Sequence, residues 1–366
     1  MSATPHPSAG RLIDYRLTTA FLVPGLRLRA EAWKIRYTTT TATGDLTEVS
    51  GTVLIPTKQS PRALVGYAVG TQGLATRAAA VSVQLRLGLE YEAAVFAAAL
   101  RRGWALAIPD YPGLGDDTAS VHPYVIGHAL GPAVLDCITA ARQLPAHELT
   151  DLPVAITGYS EGGCAAGWAL QLQPSYAPDM PIVAGSAGGV PADLDSCLAH
   201  HDKGTFAFLL VYGLIGLDAA YPDLNLRGLL TKRGERIFAL FRRTHILAAI
   251  LLGLVLTSWR TVDGFVTSHP LDDPAVQQRL RENCLGETAP AVPVLVGAVV
   301  RDQAIPYPQN AELAQKWVAA GGNVTFRSVR WGEHVVGAPG FFRSAFEHID
   351  RHVGDAARPS DSRSIA

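Results

Sequence analysis

Charge is scarce in this sequence, and so are cysteine, methionine and long apolar runs. Of 366 residues only 17% are Asp, Glu, Lys or Arg while 48% are hydrophobic. That balance excludes a disordered or nucleic-acid-coating chain and leaves room for a large buried core. The formal net charge of −1 offers no electrostatic footprint for DNA, RNA or an anionic membrane surface, so the expected partner is a small or apolar molecule. Neither an oligomeric state nor an internal repeat is legible. Cys137, Cys164, Cys197 and Cys284 form no Cys-x-x-Cys pair and share no ligand spacing with the histidines, so no structural zinc site, and no metal or cofactor of any kind, is expected.

The start of the chain, Met1 to Gly10, lacks the basic head and apolar run of a signal peptide. The expectation is a cytoplasmic protein as written, or a secreted one whose targeting segment has been removed. The longest uncharged apolar stretch, Ile246 to Trp259, is too short to cross a hydrocarbon layer of about 30 Å as a helix, so no transmembrane segment is expected. It reads as a cap helix able to touch lipid or substrate.

What is present alternates. Ala32 to Thr39 and Val49 to Ile55 carry a two-residue period around a Gly44-Asp45 turn and predict an antiparallel hairpin. Short apolar runs follow at Ala63 to Ala68, Trp104 to Ile108, Val154 to Thr157, Ile182 to Ala184 and Val292 to Val296, with Val324 to Val329 after them. Helical spacing marks Tyr91 to Arg102, Tyr124 to Leu144, Gly162 to Gln173, Gln309 to Ala319 and Gly340 to Arg351. Strands buried on both faces, alternating with helices, predict an α/β fold with a mostly parallel sheet covered on both sides.

One interval breaks the rhythm. Thr205 to Leu217, Leu224 to Leu230 and Arg236 to Leu256 read as helices with no strand between them, hence an inserted helical cap. The expected organisation is a tail over 1–12, a core over 13–190, the cap over 191–288, the rest of the core over 289–355, and a disordered tail over 356–366. Cys137 and Cys164 fall in buried helices, where a thiol acts as a small hydrophobe. Cys197 and Cys284 flank the cap and could pair if the protein is exported.

The segment Gly158-Tyr159-Ser160-Glu161-Gly162 stands between an apolar strand and a small-residue helix. Flanking glycines permit a sharp turn that lifts the serine hydroxyl off the sheet edge, which makes Ser160 a candidate nucleophile. A serine hydroxyl needs a base, and in such a strand-turn-helix setting the acid and the histidine follow in chain order. Asp302 lies just past a late strand, with Glu333 and Asp193 as competing acids, and His334 lies in a loop past the next strand. Acyl transfer also needs backbone donors for the oxyanion. One is expected from the amide of Glu161; the other from the loop Val69-Gly70-Thr71-Gln72-Gly73, where Gly70, Thr71 and Gln72 remain open, with Gly70 and Thr71 favoured.

With these residues assembled the sequence resembles the secretory lipase family of the α/β-hydrolase superfamily. The resemblance rests on Gly70-Thr71-Gln72-Gly73, Asp110-Tyr111-Pro112-Gly113-Leu114-Gly115 with His122-Pro123-Tyr124, the Gly158 to Gly163 turn, Asp302-Gln303-Ala304-Ile305-Pro306 and Gly332-Glu333-His334. It implies a Ser160, Asp302, His334 triad, a cap over the site, and hydrolysis of carboxylic esters of apolar substrates. The same triad would also serve an acyltransferase or lactone-forming enzyme, and a silent binding protein is the reading from another class. The chain departs from many relatives in carrying Leu74-Ala75-Thr76-Arg77 where they have a cysteine, so the disulfide there is missing. His122, beside Pro123, reads as a residue that fixes its loop.

Overall fold

The computed structural model describes residues 6–117, 120–145 and 147–356. The chain opens with β1 (Leu12–Thr18), a small β2 (Phe21–Val23) and β3 (Leu26–Arg27) hairpin, and then the long strands β4 (Ala30–Thr40) and β5 (Leu46–Pro56). The predicted hairpin is β4 with β5, antiparallel from Ala30↔Pro56 to Thr40↔Leu46. After β6 (Ala63–Ala68) come α1 (Val81–Leu87), α2 (Ala93–Arg101), β7 (Trp104–Pro109), α3 (Gly127–Ala141), β8 (Val154–Tyr159), α4 (Glu161–Tyr176) and β9 (Ile182–Gly188). The helical interval holds α5 (Leu194–His201), α6 (Ala207–Ala220), α7 (Lys232–Phe241), α8 (Ile246–Leu256) and α9 (Pro274–Glu282). The chain closes with β10 (Val294–Val299), α10 (Tyr307–Ala319), β11 (Val324–Val329) and α11 (His334–Ala356).

Among the described residues nine strands make one sheet in the order β1-β4-β5-β7-β6-β8-β9-β10-β11. The pairings from β7 through β11 are parallel, and those from β1 through β5 onto β7 are antiparallel. This is the α/β-hydrolase fold. Its two covered faces can be read from neighbouring residues of β6, because side chains alternate along a strand. A Cβ at Gly66 would press on Ile138 of α3. Tyr67, next along, points the other way into Phe96 of α2 and Phe342 of α11. The strands β6, β7 and β8 are buried at every position, which is why they read as unbroken apolar runs and not as alternating ones.

The structure extends or moves several predicted elements. Residues 6–12 are not a free tail: the Gly10 amide donates to the Thr38 carbonyl (2.8 Å), and Leu12 already belongs to β1. Residues 1–5 and 357–366, the remainder of the two tails, lie outside the described residues. Strand β9 runs on to Gly188 and β10 to Val299. His334 begins α11 instead of ending a loop. The Glu333 side chain accepts from the amides of Val335 (3.1 Å) and Val336 (2.9 Å) and so caps that helix.

Between β9 and β10 the described residues form no strand: the β-type pairings are two isolated bridges, Leu230↔Val266 within the interval and His245↔Gly73 out of it. Helix α6 is buried, whereas α8 exposes Leu247, Leu251, Leu254 and Val255, and Trp259 follows, also exposed. Among the described residues no single helix is long and apolar enough to cross a membrane. All four cysteines are free. Cys197 Sγ lies 3.4 Å from Gln309 Oε1, and Cys284 Sγ donates to the Leu280 carbonyl (3.3 Å), so the pairing of these two is absent.

Candidate active site

The turn after β8 is forced by close approach of backbone. A Cβ at Gly158 would meet the Gly162 carbonyl at 2.1 Å, and one at Gly162 would meet the Ala68 carbonyl at 2.1 Å. Only glycine lets α4 start this close behind β8 and β6. Between them Ser160 takes φ 61° and ψ −124°. For a residue with a Cβ this is strained backbone, of order 1–3 kcal/mol, held by its surroundings. The Ser160 amide donates to the Gly188 carbonyl (2.9 Å), and its own carbonyl accepts from Cys164 (3.0 Å). The half-buried hydroxyl thus stands at the carboxyl end of the parallel strands.

Helix α11 brings His334 to it. Phe341, two turns on, seats its ring where Cβ atoms at Gly188 and Gly297 would lie (2.6 and 2.4 Å), which fixes the helix against β9 and β10. Tyr159 Oη donates to the His334 carbonyl (2.7 Å), and the His334 amide donates to Gln303 Oε1 (3.2 Å). His334 Nδ1 lies 2.7 Å from Asp302 Oδ2, and Nε2 lies 2.8 Å from Ser160 Oγ. A carboxylate at Nδ1 places the ring proton there. Nε2 is then left with a lone pair for the serine hydroxyl. Asp302 is almost fully buried, and its Oδ1 accepts from the amides of Ala304 (2.9 Å) and Ile305 (2.7 Å). The competing acids are engaged elsewhere. Glu333 caps α11 and accepts from Gln303 Nε2 (2.7 Å), and Asp193 caps α5 at Ser196 (3.1 Å).

The donor loop corrects one expectation. The Gly70 amide is already engaged, since it donates to Glu92 Oε1 (2.8 Å). Thr71 has its hydroxyl on Tyr124 Oη (3.0 Å) and its carbonyl on Tyr91 Oη (3.2 Å). Among the described residues its amide has no acceptor. The amide of Glu161 is free for a general reason: as the first residue of α4 it has no partner within the helix. The Gln72 side chain is held by Glu90 and Gln84, with its Nε2 on Glu90 Oε1 (3.2 Å) and its Oε1 accepting from Gln84 Nε2 (2.7 Å), while its backbone amide, like that of Thr71, has no acceptor among the described residues and stays open as a donor.

Glu90 and Glu92 escaped the sequence reading, since two glutamates before a helix look like solvated surface. Both are buried. Burial, with Glu92 beside it, pushes the Glu90 carboxyl up to about 8, and burial pushes Glu92 up to about 7. Burial likewise lowers His201 on α5 to about 3, with the neighbouring His200 and His334 adding to the effect. His200 Nε2 lies 3.2 Å from the Gln303 carbonyl. The Ile246 amide donates to the Gln72 carbonyl (2.9 Å), and Gly73 bridges to His245. The helices between β9 and β10 therefore touch both the acid loop and the donor loop.

His122 fixes its loop as expected, with Nδ1 on the Pro112 carbonyl (3.0 Å). It also does what sequence could not show: Nε2 meets Glu161 Oε1 at 2.6 Å. Among the described residues no group of three or more His, Cys, Asp or Glu side chains could hold a metal ion. Two surface hollows, one of about 480 Å³ lined by Glu31, Lys58 and His147 and one of about 220 Å³ lined by Arg16, Lys34 and Asp116, lie away from Ser160.

Comparison with known proteins points in one direction. A family model described as secretory lipase matches residues 79–356. A secreted triacylglycerol lipase of Malassezia restricta is 30% identical over 312 residues, which is 81% of this chain and 65% of that protein. This chain thus spans under two thirds of that relative's length. A Mycobacterium tuberculosis protein named as a probable inactive lipase is 28% identical, over 83% of this chain and 69% of its own length. The crystal structure of Candida antarctica lipase A superposes with a TM-score of 0.84 at 22% identity, covering 98% of this chain and 86% of that one. At that identity the likeness is one of fold.

Proposed function

The chain belongs to the secretory lipase family, and from that premise we propose that it hydrolyses carboxylic esters of apolar substrates through Ser160, His334 and Asp302. As the Ser160 oxygen attacks the ester carbonyl carbon, His334 Nε2 takes the hydroxyl proton. Asp302 holds the ring in the required tautomer and offsets its positive charge. The carbonyl oxygen becomes an oxyanion facing the amides of Thr71 and Glu161, each such donor being worth about 10²- to 10³-fold in rate. Collapse of the tetrahedral adduct expels the alcohol, which leaves with the proton from His334, and an acyl ester remains on Ser160. Water, deprotonated by the same nitrogen, repeats the sequence and releases the acid.

The observation that carries this reading is the continuous contact from Ser160 Oγ through His334 to Asp302, at 2.8 and 2.7 Å, on a serine held in strained backbone. Family membership alone would not carry it, since one relative is named as inactive. The segment 191–288 serves as the cap, supported by its contacts with both loops of the site. We place transient contact with a lipid surface on the exposed flank of α8 and on Trp259. Action outside the cytoplasm follows the naming of the Malassezia relative as secreted, and fractionation of the producing cell tests it.

The direct test is cleavage of a p-nitrophenyl ester. The protein should turn it over, and Ser160→Ala should lose at least about 10³-fold in kcat, in line with the removal of a triad nucleophile. Undiminished activity in the variant would overturn the assignment.

A further inference from the structure

Next to the nucleophile lies a buried pair that the reaction as written does not use. His122 and Glu161 are 1% and 2% exposed, and their Nε2 and Oε1 atoms are 2.6 Å apart. A carbonyl oxygen can only accept, so the Pro112 carbonyl at 3.0 Å requires the hydrogen to sit on His122 Nδ1. Two arrangements then satisfy the contact with Glu161. Either Nε2 carries a second hydrogen and donates to a carboxylate, or a protonated carboxyl donates to the lone pair of Nε2. Both contain the same number of protons. Without that shared proton a lone pair would face a carboxylate oxygen at 2.6 Å, away from water.

We propose that this shared-proton pair is a positioning latch for the oxyanion site. It sets the plane of the Ser160–Glu161 peptide and hence the direction of the Glu161 amide. Glu161 has one residue's freedom between a strained serine and a helix. Pinning its side chain removes that freedom. The pin is itself braced, since His122 stacks on Tyr111 (5.7 Å, 18° between planes) and lies edge-on to Tyr124 (6.3 Å). Tyr111 Oη donates to the Val69 carbonyl (3.1 Å), and Tyr124 Oη shares a hydrogen bond with Thr71 Oγ1 (3.0 Å). One aromatic cluster therefore braces both sides of the oxyanion site, Glu161 through His122 and Thr71 through Tyr124. Strain is concentrated around it, at Tyr111 (φ 72°) and Val125 (φ 55°), as expected where backbone is held in place for a purpose.

The latch rests on the reading of Ser160 as nucleophile, and the test separates the two. Steady-state p-nitrophenyl butyrate hydrolysis and the rate of labelling by a fluorophosphonate are measured for the protein, Glu161→Ala, Glu161→Gln, His122→Phe and the Glu161→Ala/His122→Phe double variant. A carboxamide N–H donates to Nε2 of a neutral imidazole with no shared proton, so Glu161→Gln restores the contact that Glu161→Ala removes. Glu161→Ala and His122→Phe should each lose about 10- to 100-fold in kcat with little change in KM, the scale of a donor misplaced by a fraction of an ångström. The double variant should be no worse than either, because both remove one contact. Labelling should slow in parallel, and Glu161→Gln should recover to within about 3-fold of the parent. Additive losses, a Glu161→Gln variant as slow as Glu161→Ala, or full activity in Glu161→Ala would overturn the latch. A parent protein that neither hydrolyses nor labels would instead overturn the nucleophile. Because Glu161→Gln keeps the buried hydrogen bond, the test survives if His122→Phe fails to fold.

Discussion

Replacing Glu90 by glutamine should stabilise the protein at pH 8 and leave it nearly unchanged at pH 4. Glu90 Oε1 accepts from the Glu92 amide (2.9 Å) and from Gln72 Nε2 (3.2 Å), while Oε2 has no partner among the described residues. Glutamine with its oxygen in the Oε1 position keeps both bonds. What it removes is an acid whose folded-state value stands at about 8 against 4.5 for the free side chain, by burial first and by Glu92 second. Below about pH 4.5 folded and unfolded states both hold the proton, and Glu90 costs nothing. Between 4.5 and 8 the unfolded chain has lost it and the folded protein must take it up, so stability falls by about 1.4 kcal/mol per pH unit at the steepest. Above 8 the full penalty stands. Relaxation around the ionised carboxylate holds the realised effect to on the order of 2–3 kcal/mol, the upper range for a single substitution. Glu92 and Asp136, both raised to about 7, titrate in the same window. Asp136 is common to both proteins and cancels, so the difference between them reads Glu90 together with its interaction with Glu92. Urea unfolding followed by tryptophan fluorescence at pH 4, 6.5 and 8 reads that difference. Parallel stability curves for parent and variant would refute the argument.

Asp302→Asn should lower kcat about 10³- to 10⁴-fold with little effect on folding. The asparagine oxygen keeps the amides of Ala304 and Ile305, and its NH₂ then faces His334 Nδ1 and forces the hydrogen onto Nε2, so the ring can no longer accept from Ser160. A pH–rate profile that recovers at alkaline pH is compatible with this, whereas activity within 10-fold of the parent at pH 7 contradicts the tautomer argument. Leu251→Asp combined with Val255→Asp, at positions 67% and 73% exposed on α8, should change stability by less than about 1 kcal/mol. It should spare p-nitrophenyl butyrate turnover and reduce that of an emulsified long-chain ester. Equal effects on the two substrates would show that α8 acts on the site itself and not at the lipid surface.

The parts of this molecule that sequence made legible are those whose cause is local. The turn at Ser160 needs a strand, two glycines and a small-residue helix within a dozen positions, and all are written consecutively. Asp302 and His334 could be named because chain order substitutes for distance in this kind of fold, although the competing acids were separated only by seeing Glu333 cap α11 and Asp193 cap α5. Gly70 shows where that reasoning fails. Its amide is claimed by Glu92, a residue 22 positions later whose burial the helical spacing of 91–102 does not announce for a charged side chain at the helix start. β1 was missed for a related reason: as an edge strand with most of its residues partly or fully exposed, it carries no core-facing signal. The pairing of His122 with Glu161 lies further still from anything sequential. Each residue is ordinary in its own segment, and 39 positions separate them. What gives the pair meaning is a third party, the Pro112 carbonyl, which dictates where the imidazole hydrogen must be and so turns a close contact into a statement about a proton. A motif names the atom that attacks. The orientation of the Glu161 amide, on the latch proposed above, depends on contacts between segments that no motif spells out.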